Sequence, residues 1–373
     1  MTNQLSTQKN LPEDISSGEV TLNRWFEVWI STYKRGYVKP TTIDTYISLY
    51  DRHIRDDIGN HLLKEFHSIH IQRFYNDFLE KGYSPKYLGT LHTMLNGLFK
   101  SAIANELIAT NPCSFIKRPS AVSAERRILS PAEQKKFEAK LLNNRFNHIE
   151  PLLTTMLGTG LRIGEVLALR WSDVHIAPIC EGTYEPGLAK PVSYITVRHT
   201  LVRVKNDGIN PGYHYILQPP KTKHSLRSIP LQHAVVSALQ RQHGLQQDYK
   251  SRPNWNPPAG FEDLVFSGKK GQPQWRSTIV SCMDTVIRAI NDEEKELAEA
   301  TDRRPIYMEK LLPHSLRHTF ATRCLEAGIP AKVVQHWLGH ASIKMTLDLY
   351  THVSQDLSAM HMYMLEEAMK KII

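Results

Sequence analysis

The sequence predicts a mainly α protein with a small antiparallel β-sheet, built as an all-helical first domain followed by an α+β second domain. Three observations carry this. Four stretches between residues 21 and 105 repeat apolar side chains at helical spacing, a polar and basic stretch without periodicity comes after Pro112, and β-branched runs cluster between Val192 and Leu231 with helical patterns on either side. A chain of 373 residues is long enough for two or three domains with cores of their own.

Residues 1–19, mostly polar, are expected to form a flexible tail. From Thr21 the spacing predicts a first helix with Leu22, Trp25, Phe26, Trp29 and Ile30 on one face. A second begins near Thr41, after Pro40, with the stripe Ile43, Tyr46, Ile47 and Tyr50. A third runs from about Ser68 to Lys81 and stops at Gly82, and a fourth covers about Pro85 to Asn105. These make a helical domain over 20–116. The stretch IKRPSAVSAERRILS reads as an interdomain linker, assigned to 117–129. Ser130-Pro131-Ala132-Glu133 then combines an N-cap serine, a first-turn proline and a capping-box glutamate, so a second domain is expected over 130–355. It is helical to about Trp171. The runs YITVRHTLVRV, YHYIL and LRSIPL, separated by Asn-Asp-Gly and a lysine-rich turn, are antiparallel strand signals, and helices return from about Gln232. SRPNWNPPAG is a loop, and NDEEKELAEATDRRP (291–305) is a charged insertion to which the sequence assigns no role. Leu357, Met360, Met364 and Ala368 give the tail, 356–373, the pattern of an amphipathic helix.

Composition narrows the function. The net charge is +9, from 46 Lys and Arg against 37 Asp and Glu, which suits a polyanionic partner without requiring one. Cys113, Cys180, Cys282 and Cys324 are scattered, as expected of reduced thiols in a cytosolic protein. The N-terminus lacks the apolar region of a secretion signal, and no apolar run approaches the roughly 20 residues needed to span a bilayer.

Four segments could carry chemistry. Thr159-Gly160-Leu161-Arg162-Ile163-Gly164-Glu165 places an arginine at a helix start behind a glycine turn, where its fork of donors can address an oxyanion; a surface Arg162–Glu165 pair is the plainer reading. In His314-Ser315-Leu316-Arg317-His318 the three-residue spacing sets His314 and Arg317 on one helical face. In Leu338-Gly339-His340 the glycine lets the chain turn and points His340 away from the preceding helix. Tyr350 comes ten residues later in an apolar helical setting, where a tyrosine is ordinarily core packing. His314/His318 and His336/His340 have zinc-compatible spacing, but neither pair brackets a glutamate as HExxH does and no cysteine stands at ligand distance, so no metal is expected.

Taken in order, TGLRIGE, the basic hairpin PKTKHSLRSIP, HSLRHT, LGH and a tyrosine ten residues on resemble the tyrosine recombinases, the integrase family of phages and mobile elements, over about residues 20–365. Each motif alone is common; the five in sequence are specific. The resemblance implies that 20–116 is a SAM-like core-binding domain, that 130–355 is the catalytic domain, and that the catalytic residues are Arg162, Lys221, His314, Arg317, His340 and Tyr350, with Glu165 supporting. PKTK offers two lysines; Lys221 matches the family position better and Lys223 is the alternative.

The implied reaction is cleavage and rejoining of DNA through a covalent 3′-phosphotyrosyl intermediate, without metal, ATP or other cofactor. Tyr350 would attack, Arg162 and Arg317 would clamp the non-bridging oxygens, His314 would take the tyrosine proton, His340 would bond the phosphate and Lys221 would protonate the 5′-oxygen. Lys223, His224 and Arg227 would meet phosphate beside the site, and Lys117, Arg118, Arg126 and Arg127 would lie along the DNA. The implied partners are double-stranded attachment sites, a homotetramer working through a Holliday junction with the C-terminal helix exchanged between subunits or folded back on its own, and accessory excision or bending factors. The implied setting is a bacterial cytoplasm, nucleoid-associated when bound to DNA. About 20 residues before the first helix leave no room for the arm-binding domain many integrases carry, as expected of a family member without one or of a shortened chain. The rival readings are a type IB topoisomerase and a DNA-binding protein of this fold that has lost its chemistry.

Overall fold

The computed structural model describes residues 19–120, 127–178, 192–205, 212–219, 226–348, 362, 366 and 369–370. The chain divides into two compact units, Met1–Ala124 with Arg203–His214, and Glu125–Val202 with Tyr215–Ile373.

In the first unit, helices α1 (Leu22–Val28), α2 (Pro40–His53), α3 (Ser68–Glu80) and α4 (Pro85–Ala104) surround an aromatic core. Thr21 caps α1 by accepting the Arg24 N–H at 3.2 Å. Trp25 is fully buried, and its indole donates to the Leu98 carbonyl at 3.1 Å, which satisfies the polar atom that burial would otherwise strand. Phe26 stacks on Tyr50 with ring centres 3.6 Å apart. Directly after α1 the helical period changes: Trp29–Lys34 widens into a π-helix, with Arg35 N–H bonded to the Ile30 carbonyl at 2.9 Å, and a regular 3.6-residue pattern gives no sign of it. That wider turn carries the Lys34 ammonium over the Trp29 ring, 4.5 Å from its centre.

In the second unit, α5 (Pro131–Leu141) opens on the reciprocal bonds of a capping box: Glu133 N–H to Ser130 Oγ at 3.2 Å and Ser130 N–H to Glu133 Oε2 at 2.8 Å. After it come α6 (Glu150–Thr159) and the short α7 (Ile163–Leu167). Five strands are next in the chain, β1 (Val174–His175), β2 (Tyr194–Val197), β3 (Thr200–Lys205), β4 (Tyr213–Gln218) and β5 (Arg227–Pro230), of which the end of β3 and the start of β4 are assigned to the first unit. The run YITVRHTLVRV does not form one strand. It breaks at Arg198–His199, so that β2 joins a three-stranded antiparallel sheet ordered β1-β2-β5 while β3 pairs with β4 in a separate two-stranded sheet. In the first sheet Ile195 faces Ile229 and both are buried, which fixes the register through the core.

The remaining helices are α8 (His233–Lys250), α9 (Arg276–Ala300), α10 (Pro313–Glu326), α11 (Ala331–Leu338) and α12 (Lys344–Leu347). The first ten residues of the charged stretch 291–305 belong to α9, a single 25-residue helix. Ile279, Met283, Val286, Ile287 and Ile290 form its buried stripe, and Glu294 and Ala298 continue it. Buried Glu294 accepts from Arg303 Nη1 (2.6 Å), the Ile306 N–H (2.9 Å) and Lys136 Nζ (3.2 Å). Among the described residues, no helix is long and apolar enough to cross a membrane.

Candidate active site

The site in the second unit is organised around the C-terminal end of α11. A helix end leaves its last carbonyls without intrahelical donors and carries partial negative charge. Here three consecutive carbonyls each receive a different arginine: Trp337 from Arg227 Nε at 2.5 Å, Leu338 from Arg317 Nη2 at 2.6 Å, and Gly339 from Arg162 Nη2 at 3.4 Å. These arginines come from β5, from α10 and from the N-cap of α7, so residues separated by up to 177 positions converge on one turn.

Gly160 makes the placement of Arg162 possible. Its φ of +64° is left-handed, and a Cβ there would lie 2.5 Å from Phe320 Cδ1 and 2.7 Å from Leu338 Cδ2, so neither the backbone nor the space tolerates a side chain. The chain turns there into α7, and Arg162 bonds Glu165 twice, from its own N–H at 2.9 Å and from Nη1 at 2.8 Å. A third of the Arg162 side chain stays open to solvent (34%). Arg317 is buried; besides Leu338 it donates from Nη1 to the Gly160 carbonyl at 2.8 Å, tying α10 to the turn before Arg162. Burial first, and Arg162 second, push its pKa down, with Glu165 acting against them; a guanidinium stays protonated regardless.

Glu165 is buried. Burial alone would raise its pKa, but hydrogen bonds and charge from Arg227, with Arg162 adding to them, bring the carboxyl down to about 2. Three guanidinium groups around this carboxylate leave the cluster with an excess of positive charge, suited to an oxyanion. His314 stands exposed on the first turn of α10 with its pKa lowered, first by desolvation and then by Arg317, Arg276 and Arg162. The ring is therefore neutral near pH 7 and can accept a proton. His340 is buried after the left-handed Gly339 (φ +63°), and its Nδ1 is 2.9 Å from Thr346 Oγ1. Thr346 is itself fully buried on α12, so the imidazole is held by both neighbouring segments.

Arg162, Glu165, His314, Arg317 and His340 thus stand in one unit around one turn. Tyr350, Lys221, Lys223, His224 and Arg126 lie outside the described residues, as does the tail stripe Leu357, Met360, Met364 and Ala368. Lys117 and Arg118 are exposed, and the Lys117 backbone is bonded in both directions to the Gln72 side chain at 2.9 and 3.1 Å. Two residues expected to meet phosphate are placed otherwise. Arg227 is buried rather than part of a solvated turn, because it alternates with Ile229 on the inward face of β5 and is paired with Glu165. Arg127 is engaged with Glu133 and with Glu309 at 3.3 Å, which spends its charge within the protein. Thr346 and the three carbonyls are participants that no sequence motif marked. Among the described residues, no group of three or more His, Cys, Asp or Glu side chains could hold a metal ion.

Residues 192–356 match the family model described as phage integrase family, and residues 21–79 match the phage integrase N-terminal SAM-like domain. A tyrosine recombinase XerC-like protein of Caldanaerobacter subterraneus subsp. tengcongensis is 27% identical over 343 residues, covering 90% of this chain and 80% of its own. The ICEBs1 integrase of Bacillus subtilis is 24% identical over 351 residues, 90% of this chain and 84% of that one. The Tn1549 transposon integrase, solved in complex with a circular intermediate DNA, shares the fold with a TM-score of 0.70 at 24% identity, over 92% of this chain and 99% of that chain.

Proposed function

The chain belongs to the phage integrase family of tyrosine recombinases, and on that footing we propose how its residues divide the reaction. It is a site-specific DNA recombinase of the kind that integrates or excises mobile elements. One observation above all supports the assignment of residues: Arg162, Arg317 and the His340 turn meet at the end of α11, where positive charge exceeds what Glu165 balances.

A scissile phosphate seated there meets the N–H groups of Arg162 and Arg317 not already given to carbonyls, and His340 adds a further donor. As the Tyr350 oxygen bonds to phosphorus, charge grows on the non-bridging oxygens and the two guanidiniums stabilise it in place of a cation. A free phenol has a pKa of about 10, so the positive surroundings and neutral His314, which takes the proton, are what activate it. The bond from phosphorus to the 5′-oxygen breaks, and Lys221 gives that oxygen its proton; Lys223 is the alternative donor. The DNA 3′-phosphate is now esterified to Tyr350. The 5′-hydroxyl of a second strand reverses every step, so no ATP is consumed. Double-stranded attachment sites as substrate, a homotetramer acting through a Holliday junction, and a cytoplasmic setting complete the reading, with Lys117 and Arg118 along the duplex backbone.

The test is trapping on a nicked suicide duplex from the junction of the element that encodes the chain. Wild type should form a covalent protein–DNA adduct, undiminished by a chelator. Tyr350→Phe should form none while binding the same DNA with nearly unchanged affinity, since only one oxygen is removed. No adduct from wild type, or adducts persisting in the Phe variant, would refute the assignment.

A further inference from the structure

Of the three arginines on the end of α11, Arg227 has a side chain with no exposure (0%) and is paired with the buried Glu165. Its guanidinium nevertheless reaches both halves of the site. It donates from Nη1 to Glu165 Oε1 at 3.2 Å, from Nη2 to Glu165 Oε2 at 2.8 Å, and from Nε to the Trp337 carbonyl at 2.5 Å. Glu165 is the residue that holds Arg162, through backbone and side chain together. Trp337 opens the turn whose next residues are the carbonyl partners of Arg317 and Arg162, and then His340. Contact is also steric: a Cβ on Gly339 would stand 3.1 Å from Arg227 Nη1, 3.2 Å from its Cζ and 3.3 Å from its Cδ, so the side chain lies close against that turn. At its other end Arg227 is pinned by β5, where it pairs with Val197 of β2, six residues after Lys221.

The geometry points to Arg227 as a positioning residue for strand cleavage: from β5 it fixes Glu165, and through it Arg162, and it fixes the Trp337–Gly339 turn that presents His340. This rests on the recombinase reading of the site. A lysine at this position keeps the charge but is a single point; it cannot bond both carboxylate oxygens and the Trp337 carbonyl at once. Displacement of a catalytic group by about 1 Å costs on the order of 100-fold in rate, so loss of the fork should appear in the chemical step and not in DNA binding. Glu165 also loses its main partner. The charged groups facing its carboxylate are Arg162 on its own helix, Arg227 on β5, and Arg317 with His314 on α10. Without Arg227 its carboxyl rises from about 2, and once protonated it accepts fewer bonds from Arg162.

The experiment compares wild type, Arg227→Lys, Arg227→Met, Glu165→Gln and the Arg227→Lys/Glu165→Gln pair in the full chain, measuring single-turnover cleavage of the suicide duplex from pH 5 to 8 and affinity for an uncleavable duplex. Expected results are a cleavage loss on the order of 100-fold in Arg227→Lys at unchanged affinity, a loss in Arg227→Met that deepens as pH falls, and a double variant no slower than the worse single one because both act on one network. Should the methionine variant fail to fold, the lysine variant and the double variant carry the test. Wild-type cleavage by Arg227→Lys overturns the proposal. So does a pH-independent loss accompanied by lost DNA affinity, the mark of a merely structural role. Failure of wild type itself to form adduct overturns the recombinase reading instead, which separates the two.

Discussion

His314 shares a helical face with Arg317, and its positively charged neighbours make protonation of the ring costly beyond what desolvation does. Its pKa is lowered from 6.5, so the ring is neutral above that lowered value and is protonated as pH falls through it. Cleavage should therefore hold its rate down through neutral pH and lose it on an acid limb below 6.5. Titration of the His314 ring by NMR should give a midpoint below that of an exposed histidine; a midpoint at or above 6.5 would contradict the charge arrangement described. At this scale the sequence was legible where spacing carries meaning. The three-residue interval of His314 and Arg317 and the glycine before His340 marked side chains that the structure brings around one turn. Arg227 carried a signal that the expectation of phosphate contact missed: in LRSIPL it has the same parity as Ile229, so the period of two that buries the isoleucine buries the arginine. Lysines and a histidine around it suggest solvent, and that composition conceals the alternation. Thr346 had no signal, since a hydroxyl six residues from a histidine shares no regular face with it.

Among elements, the turn at Gly160 is the tightest constraint on the site. Gly160→Ala combines left-handed backbone with a clash against Phe320 and Leu338, and should cost about 2–4 kcal/mol in chemical denaturation; a variant as stable as wild type would mean the turn can relax. The end of α9 makes a second prediction. Hydrogen bonds from Arg303 first, then from Ile306 and Lys136, hold the Glu294 carboxyl to about 2, below its ordinary value of 4.5. A depressed folded pKa contributes stability that is present above about pH 4.5 and is lost as pH falls towards 2. The melting temperature of Glu294→Gln should thus lie below wild type at neutral pH, with the gap closing between pH 4.5 and 2. A gap constant across that range would show the carboxylate charge is not what matters. This stretch was unreadable in sequence because its dense charge, from Asp292 to Arg304, hides a stripe that Glu294 and Ala298 continue from Ile290. The π-turn at Trp29–Lys34 and the break between β2 and β3 escaped for a related reason: a period describes the run of an element and not the point where packing forces it to widen or change sheets.

For the whole molecule, the charge of +9 bears on DNA through counterion release. Lys117 and Arg118 are exposed, and what holds their segment is the Lys117 backbone, bonded to Gln72. Replacing both with alanine should reduce the slope of log affinity against log salt by about 2, close to 0.9 per lost phosphate contact, and should weaken matched and unmatched duplexes alike; an unchanged slope would place these residues off the DNA. The chain passes from one unit to the next after Ala124, within the aperiodic basic stretch, but Arg203–His214 returns to the first unit, which no feature of composition marked.

The last turn of α11 has a consequence of another kind. The carbonyls that end that helix are closed by side chains lent from three remote stretches of chain. Fraying at that point would take one bond from each of the three arginines at once, so the turn and the guanidiniums would lose their shared register together.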